Sequence, residues 1–179
     1  MKSNIIFLAL GSNLEFENRP PVQLLQEALV ELEKMGAKIV ARSCLYASEA
    51  WPKGNSAPLF YNMVIAVNSD IEDPKLLLSM LHRIEEKFGR NRILEEHWGS
   101  RTLDIDIIDF GGMVRDAANF DDAPILPHPR AMSRDFVLVP LLEICPNWRH
   151  PVTKIAAKTY LETIQGNSQL QTNMYVVNG

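Results

Sequence analysis

A chain of 179 residues, 46% hydrophobic and 22% charged, can bury a core as one domain without help from disulfides or metals. Its formal net charge of -4 gives no global electrostatic reason to expect a nucleic-acid or anionic-membrane partner. A site for a polyphosphate must therefore gather positive charge locally, from Arg, Lys or a bound cation.

In chain order, the apolar run 5–10 closed by Gly11-Ser12-Asn13 reads as a buried strand ending in a turn. Pro20-Pro21 opens a helix whose Leu25, Ala28, Leu29 and Leu32 share one face, with Gly36 placed to end it. Residues 38–46 and 60–67 read as the second and third strands, joined by a loop over 47–59 rich in Pro, Gly, Ser and Asn. Asp73-Pro74 supplies an N-cap and first-turn proline for a helix lined by Leu77, Met80, Leu81, Ile84 and Phe88, and Gly89 ends it. Residues 90–99 are polar and read as mobile. A fourth strand spans 103–110 and turns at Gly111-Gly112; shorter helical pieces follow at 137–144 and 153–164. This order predicts an α+β, ferredoxin-like antiparallel sheet covered by helices, in a single domain over 1–179 with 151–179 as a closing helix and tail. Cys44 and Cys145 lack metal-like spacing and read as reduced, buried thiols. No apolar stretch suits a signal peptide or a membrane span, so a cytoplasmic protein is expected. No heptad or interface pattern asks for more than a monomer.

Alternation along the fourth strand puts Asp104 and Asp106 on one face with Ile108 and Phe110, and Leu103, Ile105 and Ile107 on the other. Carboxylates at alternate positions stand roughly 6–7 Å apart. At an effective dielectric near 20 their repulsion is on the order of 3 kcal/mol if both stay ionised. Either arginines neutralise the pair in a structural cluster, or a hard cation such as Mg²⁺ bridges it to substrate phosphates. Arg90, Arg92 and Arg101 gather beside the acids, more cation than two carboxylates need, which suits a metal-bound polyphosphate. The nine glycines form neither GxxxxGK[ST] nor GxGxxG, so a nucleotide would not be held by a P-loop.

Phe60 and Asn62 share a strand face, where a ring and an amide can stack on a flat heterocycle and hydrogen-bond its edge; Phe136 and Trp51 are further candidates. Each also fits ordinary packing. His128, fixed between Pro127 and Pro129 and followed by Arg134, is either a loop histidine or a positioned phosphate ligand.

Three segments carry a family resemblance: Ala9-Leu10-Gly11-Ser12-Asn13-Leu14, Trp98-Gly99-Ser100-Arg101-Thr102-Leu103-Asp104-Ile105-Asp106, and Leu126-Pro127-His128-Pro129-Arg130. In this order they resemble the 6-hydroxymethyl-7,8-dihydropterin pyrophosphokinases of folate biosynthesis, from about residue 5 to about residue 151. The resemblance implies ATP as donor, transfer of pyrophosphate to the pterin hydroxymethyl oxygen, and release of AMP. It also implies two Mg²⁺ ions held by Asp104 and Asp106, with Arg90 and Arg101 beside them at the catalytic centre. Arg90, Arg92, Arg101, His128 and Arg134 match the family's ATP contacts. Ser48, Glu49, Trp51, Phe60, Asn62 and Phe136 match its pterin pocket, and Trp98 its mobile lid. Ala50, Ser100 and Pro129 depart from common family residues, Ala123 and Ile125 replace nucleotide-side groups, and 89–98 is one residue longer. The rival readings are another Mg²⁺-dependent phosphoryl transferase or hydrolase on the same acids, and an RNA-binding module, which the acidic balance and missing RNP-type stretch disfavour.

Overall fold

The computed structural model describes residues 5–50, 57–91, 100–116 and 124–177. Its sheet contains β1 (Ile5–Ser12), β2 (Lys38–Arg42), β3 (Tyr46–Ser48), β4 (Phe60–Asn68), β5 (Asp104–Phe110) and β6 (Met174–Val176). The helices among the described residues are α1 (Pro21–Lys34), α2 (Pro74–Lys87), α3 (Asp135–Ile144) and α4 (Ala157–Gln165), with a 3-10 turn at Ala131–Ser133. The strand order is β5-β1-β4-β3-β6, with β2 also on β4 and every pairing antiparallel. This is the ferredoxin-like α+β plan expected.

Alternation on β1 sorts the two cores. Ile6, Leu8 and Leu10 pack with Leu25, Leu29 and Leu32 of α1 and Leu77 and Leu81 of α2. Phe7 points the other way, to Val137, Leu138 and Leu141 of α3 and Ile164 of α4. The Asp73 carboxylate accepts from Lys75 N and caps α2 as expected, with Pro74 in the first turn. At the far end Gly89 has φ +80°, and a Cβ there would overlap the Phe16 ring, so glycine serves both the turn and the contact.

Several boundaries differ from the sequence expectation, each for a local reason. β1 continues through Gly11 and Ser12 because both pair with β4, opposite Asn62 and Tyr61. The expected strand 38–46 is two strands along one edge of β4. Ser43 interrupts it: its N–H donates to Val64 O, and its Oγ accepts from Val64 N and donates to Cys44 O. The loop expected from 47 accordingly begins after Ser48. Cys44 lies at this break and is exposed, not buried; its N–H donates to the Glu143 carboxylate. On β5 the register against β1 shifts between Phe7 and Leu8, inserting Ile108 as an extra residue. Phe110 thereby moves to the core of Ile105 and Ile107, while Ile108 faces α3. On α2 the buried polar residue is Glu85, and Met80 is only partly buried. The last helix starts at Ala157, after turns at 151–153, and the tail contributes β6, which pairs with β3. Among the described residues no helix is long and apolar enough to cross a membrane.

Candidate active site

Three neighbouring strands bring the predicted residues together. In one row across the sheet, Asn62 of β4 faces Gly11 of β1, which faces Asp104 of β5; in the next, Val64 faces Ala9 and Ala9 faces Asp106. Paired residues share a sheet face, so the two smallest side chains lie between the amide and the acids. They floor an open cleft lined also by Arg134, Phe136 and Val137.

On the acidic side, Asp104 is gripped by two arginines. Arg90 Nη1 donates to its Oδ1, and Arg101 Nη1 to its Oδ2 at 2.7 Å. Burial would raise the Asp104 pKa, but Arg101 and Arg90 outweigh it and hold the carboxyl below its ordinary value. Asp106 is held less closely: Nε2 of His128 and Nη1 of Arg134 each stand 3.6 Å from its Oδ2, beyond hydrogen-bond reach. Burial, and then the charge of Asp104, raise the Asp106 pKa above the usual carboxylate value. The two acids therefore differ in setting, one clamped by two arginines and one flanked by Arg134 and His128 at 3.6 Å.

His128 is fixed from two directions. Its N–H donates to Ile108 O at 3.0 Å, and its Nδ1 accepts from Arg130 N at 3.2 Å, so neutral imidazole carries its proton on Nε2 and aims it toward Asp106. Burial lowers its pKa and Asp106 partly restores it. Among the described residues, Nε of Arg134 is buried with no hydrogen-bond partner, a donor suited to an anion in the cleft.

The opposite wall is the amide and the ring. Asn62 Nδ2 donates to Ser48 Oγ at 3.0 Å, which turns Oδ1 toward Gly11 and the cleft. Phe136 lines the cleft, with the Arg134 guanidinium carbon 5.6 Å from its ring centroid. Phe60 shares the face of Asn62 and pairs with Ser48, but does not line this cleft. Glu49 is exposed and accepts from Asn173 Nδ2 at 2.9 Å. Trp51, Arg92, Trp98 and Ala123 lie outside the described residues.

Sequence reasoning missed Glu85 and Asn13. The Glu85 carboxylate, fully buried, accepts from Arg90 and from the Ile105 amide at 2.7 Å, so it holds both the arginine and the strand between the two acids. It takes up one of the cations that had counted as surplus. The signal was present: 77, 81, 84, 85 and 88 form one helical face, which leaves Glu85 as a carboxylate among apolar neighbours. Asn13 Oδ1 accepts from Arg101 N at 2.6 Å, while its Nδ2 donates to Ser100 Oγ at 2.9 Å and to Pro58 O at 3.3 Å. It ties the base of the arginine segment to the segment before β4.

Comparison with known proteins places the chain in a family. A family model described as 7,8-dihydro-6-hydroxymethylpterin-pyrophosphokinase (HPPK) matches residues 7–146. The chain is 36% identical over 159 residues to a 2-amino-4-hydroxy-6-hydroxymethyldihydropteridine pyrophosphokinase of Synechocystis, covering 88% of this chain and 73% of that protein. It is 38% identical to the protein of the same name from Pseudomonas aeruginosa, covering 82% and 83% respectively. The folic acid synthesis protein fol1 of Pneumocystis carinii is 34% identical over 89% of this chain, which spans only 20% of that longer protein. The crystal structure of Plasmodium falciparum HPPK-DHPS with pteroate shares the fold, with a TM-score of 0.70 at 18% identity, covering 98% of this chain and 48% of that one. By its sequence over residues 7–146 and by its fold, this chain belongs to the 7,8-dihydro-6-hydroxymethylpterin-pyrophosphokinase family.

Proposed function

We propose that the chain transfers the terminal diphosphoryl group of ATP to the hydroxymethyl oxygen of 6-hydroxymethyl-7,8-dihydropterin, a step of tetrahydrofolate biosynthesis. The observation that carries this reading is one cleft in which Asn62 and Phe136 stand across the Ala9 and Gly11 floor from Asp104, Asp106 and Arg134, a layout suited to a flat heterocycle on one side and a polyphosphate on the other. Family membership supplies the identity of the two substrates. Both are small soluble metabolites, and a cytoplasmic location belongs to the same proposal.

In this reading the pterin lies against Phe136, and Asn62 Oδ1 accepts from the N–H edge of the ring while Ser48 holds the amide in that sense. Arg101, Arg134 and the Nε2 proton of His128 face the phosphates, and Arg92 is assigned to the same anion from its position in the motif. The hydroxymethyl oxygen forms a bond to the β-phosphorus and loses its proton. The bond from that phosphorus to the α–β bridging oxygen breaks, and the oxygen leaves on AMP. Preorganised guanidinium donors are suited to charge that builds on the phosphoryl oxygens, because they need no reorganisation as it develops.

Asp104 and Asp106 are the residues that would hold Mg²⁺. The donor set fits: two hard carboxylates on one strand face, one of them held by no direct hydrogen bond from its neighbours Arg134 and His128 at 3.6 Å and raised in pKa by burial, as a site completed by a cation would be. Bound there, Mg²⁺ supplies neutralisation of the triphosphate charge. The other phosphoryl-transfer readings leave the Asn62, Ser48 and Phe136 wall without a use.

Incubation with ATP, Mg²⁺ and the pterin tests the proposal. Equal amounts of AMP and pterin diphosphate are expected. ADP as product, or nucleotide turnover indifferent to the pterin, contradicts it.

A further inference from the structure

Two residues that line the cleft, Arg134 and Phe136, flank one that points away from it. Asp135, first residue of α3, is buried, and its carboxylate is consumed by backbone and tail. Oδ2 accepts from Thr172 N at 2.6 Å, and Oδ1 accepts from Thr172 Oγ1 at 2.6 Å and from Phe136 N at 2.8 Å. Thr172 is itself buried and lies outside the part of the chain that matches the family model. Charge-assisted bonds of this length are the stronger kind, and two from one residue fix orientation as well as distance.

From Thr172 the chain runs directly to the other side of the pterin wall. Asn173 O accepts from Glu49 N at 3.3 Å, its Nδ2 donates to Glu49, and β6 then pairs with β3, opposing Met174 to Ser48. Ser48 in turn accepts from Asn62. A single strap, 172–176, therefore joins the segment that presents Arg134 and Phe136 to the strand that orients the Asn62 amide.

We infer that Thr172, acting through Asp135, is a positioning residue for the pterin wall, and that the strap sets the spacing between Phe136 and Asn62. It touches neither substrate. This rests on the pterin reading above, since it is that wall whose spacing the strap sets. The acids and Arg90 and Arg101 are held separately, by Glu85 and Asn13, so loosening the strap acts on Phe136 and, beside Asp106, on Arg134, and leaves the Asp104 clamp in place.

The test compares Thr172→Val, which keeps the shape and removes the hydroxyl, with Thr172→Ser, which keeps it. Thr172→Val is expected to raise KM for 6-hydroxymethyl-7,8-dihydropterin roughly fivefold to tenfold. KM for ATP, which the strap reaches only through Arg134, should rise less than the pterin KM, and Thr172→Ser should restore the pterin KM. A purely structural role would lower the melting temperature of Thr172→Val and leave the pterin KM unchanged, and that overturns the inference. Amide hydrogen exchange on the substrate-free protein makes the test independent of the reaction: Thr172→Val should speed exchange at 134–138 relative to 101–107. Equal exchange in the two segments overturns the inference even if wild type turns over the pterin. Faster exchange at 134–138 in a protein inactive on the pterin upholds the strap and refutes the substrate assignment.

Discussion

A Cβ added at Gly11 would stand 3.2 Å from Oδ1 of Asn62, closer than side chains ordinarily approach. Gly11 has no positive φ, so its backbone does not need glycine; the space beside the amide does. Gly11→Ala should leave the melting temperature within a few degrees and raise the pterin KM severalfold, as Asn62 yields slightly. Gly11→Val should fill the floor between the two walls and cost about 10²-fold in kcat/KM. Steady-state kinetics with each substrate varied in turn would check this. A loss confined to the ATP KM contradicts it.

Glu85 and Arg90 form a buried pair in which Arg90 also reaches Asp104. Glu85→Gln keeps the shape and removes one carboxylate charge facing a nearly buried guanidinium. Breaking a buried pair from one side costs on the order of 3 kcal/mol, and the Ile105 amide loses its charged acceptor. Urea denaturation should report a loss of that size, and kcat should fall at least tenfold. Wild-type stability and kcat together would remove Glu85 from the account.

The two aspartates should affect the metal-free protein in opposite directions. Asp104 is lowered in the folded state, against its own burial, by Arg101 and Arg90. Its charge therefore stabilises the fold above the ordinary carboxylate value of about 3.9, and that contribution is lost as pH falls through the folded value. Asp106 is raised, by burial and by Asp104. Its charge costs stability above the raised value, and the cost is relieved as pH falls through that value. At neutral pH Asp104→Asn should melt lower than wild type and Asp106→Asn higher, and the Asp106→Asn gain should disappear on acidification. Thermal melts in chelator at several pH values decide it; melts shifted in the same direction contradict it.

Much of this was legible in the residues, because periodicity and chemistry agreed. The apolar stripes of α1 and α2, the Asp73 cap and the face shared by Asp104 and Asp106 all follow from local pattern. The bulge at Ile108 was not legible: an inserted strand residue leaves no mark in composition, and it sent Phe110 to the other core. Nor was the break at Ser43, which depends on a hydroxyl meeting a neighbouring strand's amide. Glu85, Asn13 and Thr172 matter through partners 20, 88 and 37 positions away, and single-chain periodicity carries no information at that range. The strand formed by the tail was hidden for the same reason, since among the described residues it pairs with β3.

The central claim, intact diphosphoryl transfer across this cleft, is tested most directly by a single turnover with ATP labelled at the β-phosphorus. The label should move wholly into the pterin product, and the nucleotide released should be unlabelled AMP. Label left in ADP, or released as inorganic phosphate or pyrophosphate without a pterin ester, would contradict the claim.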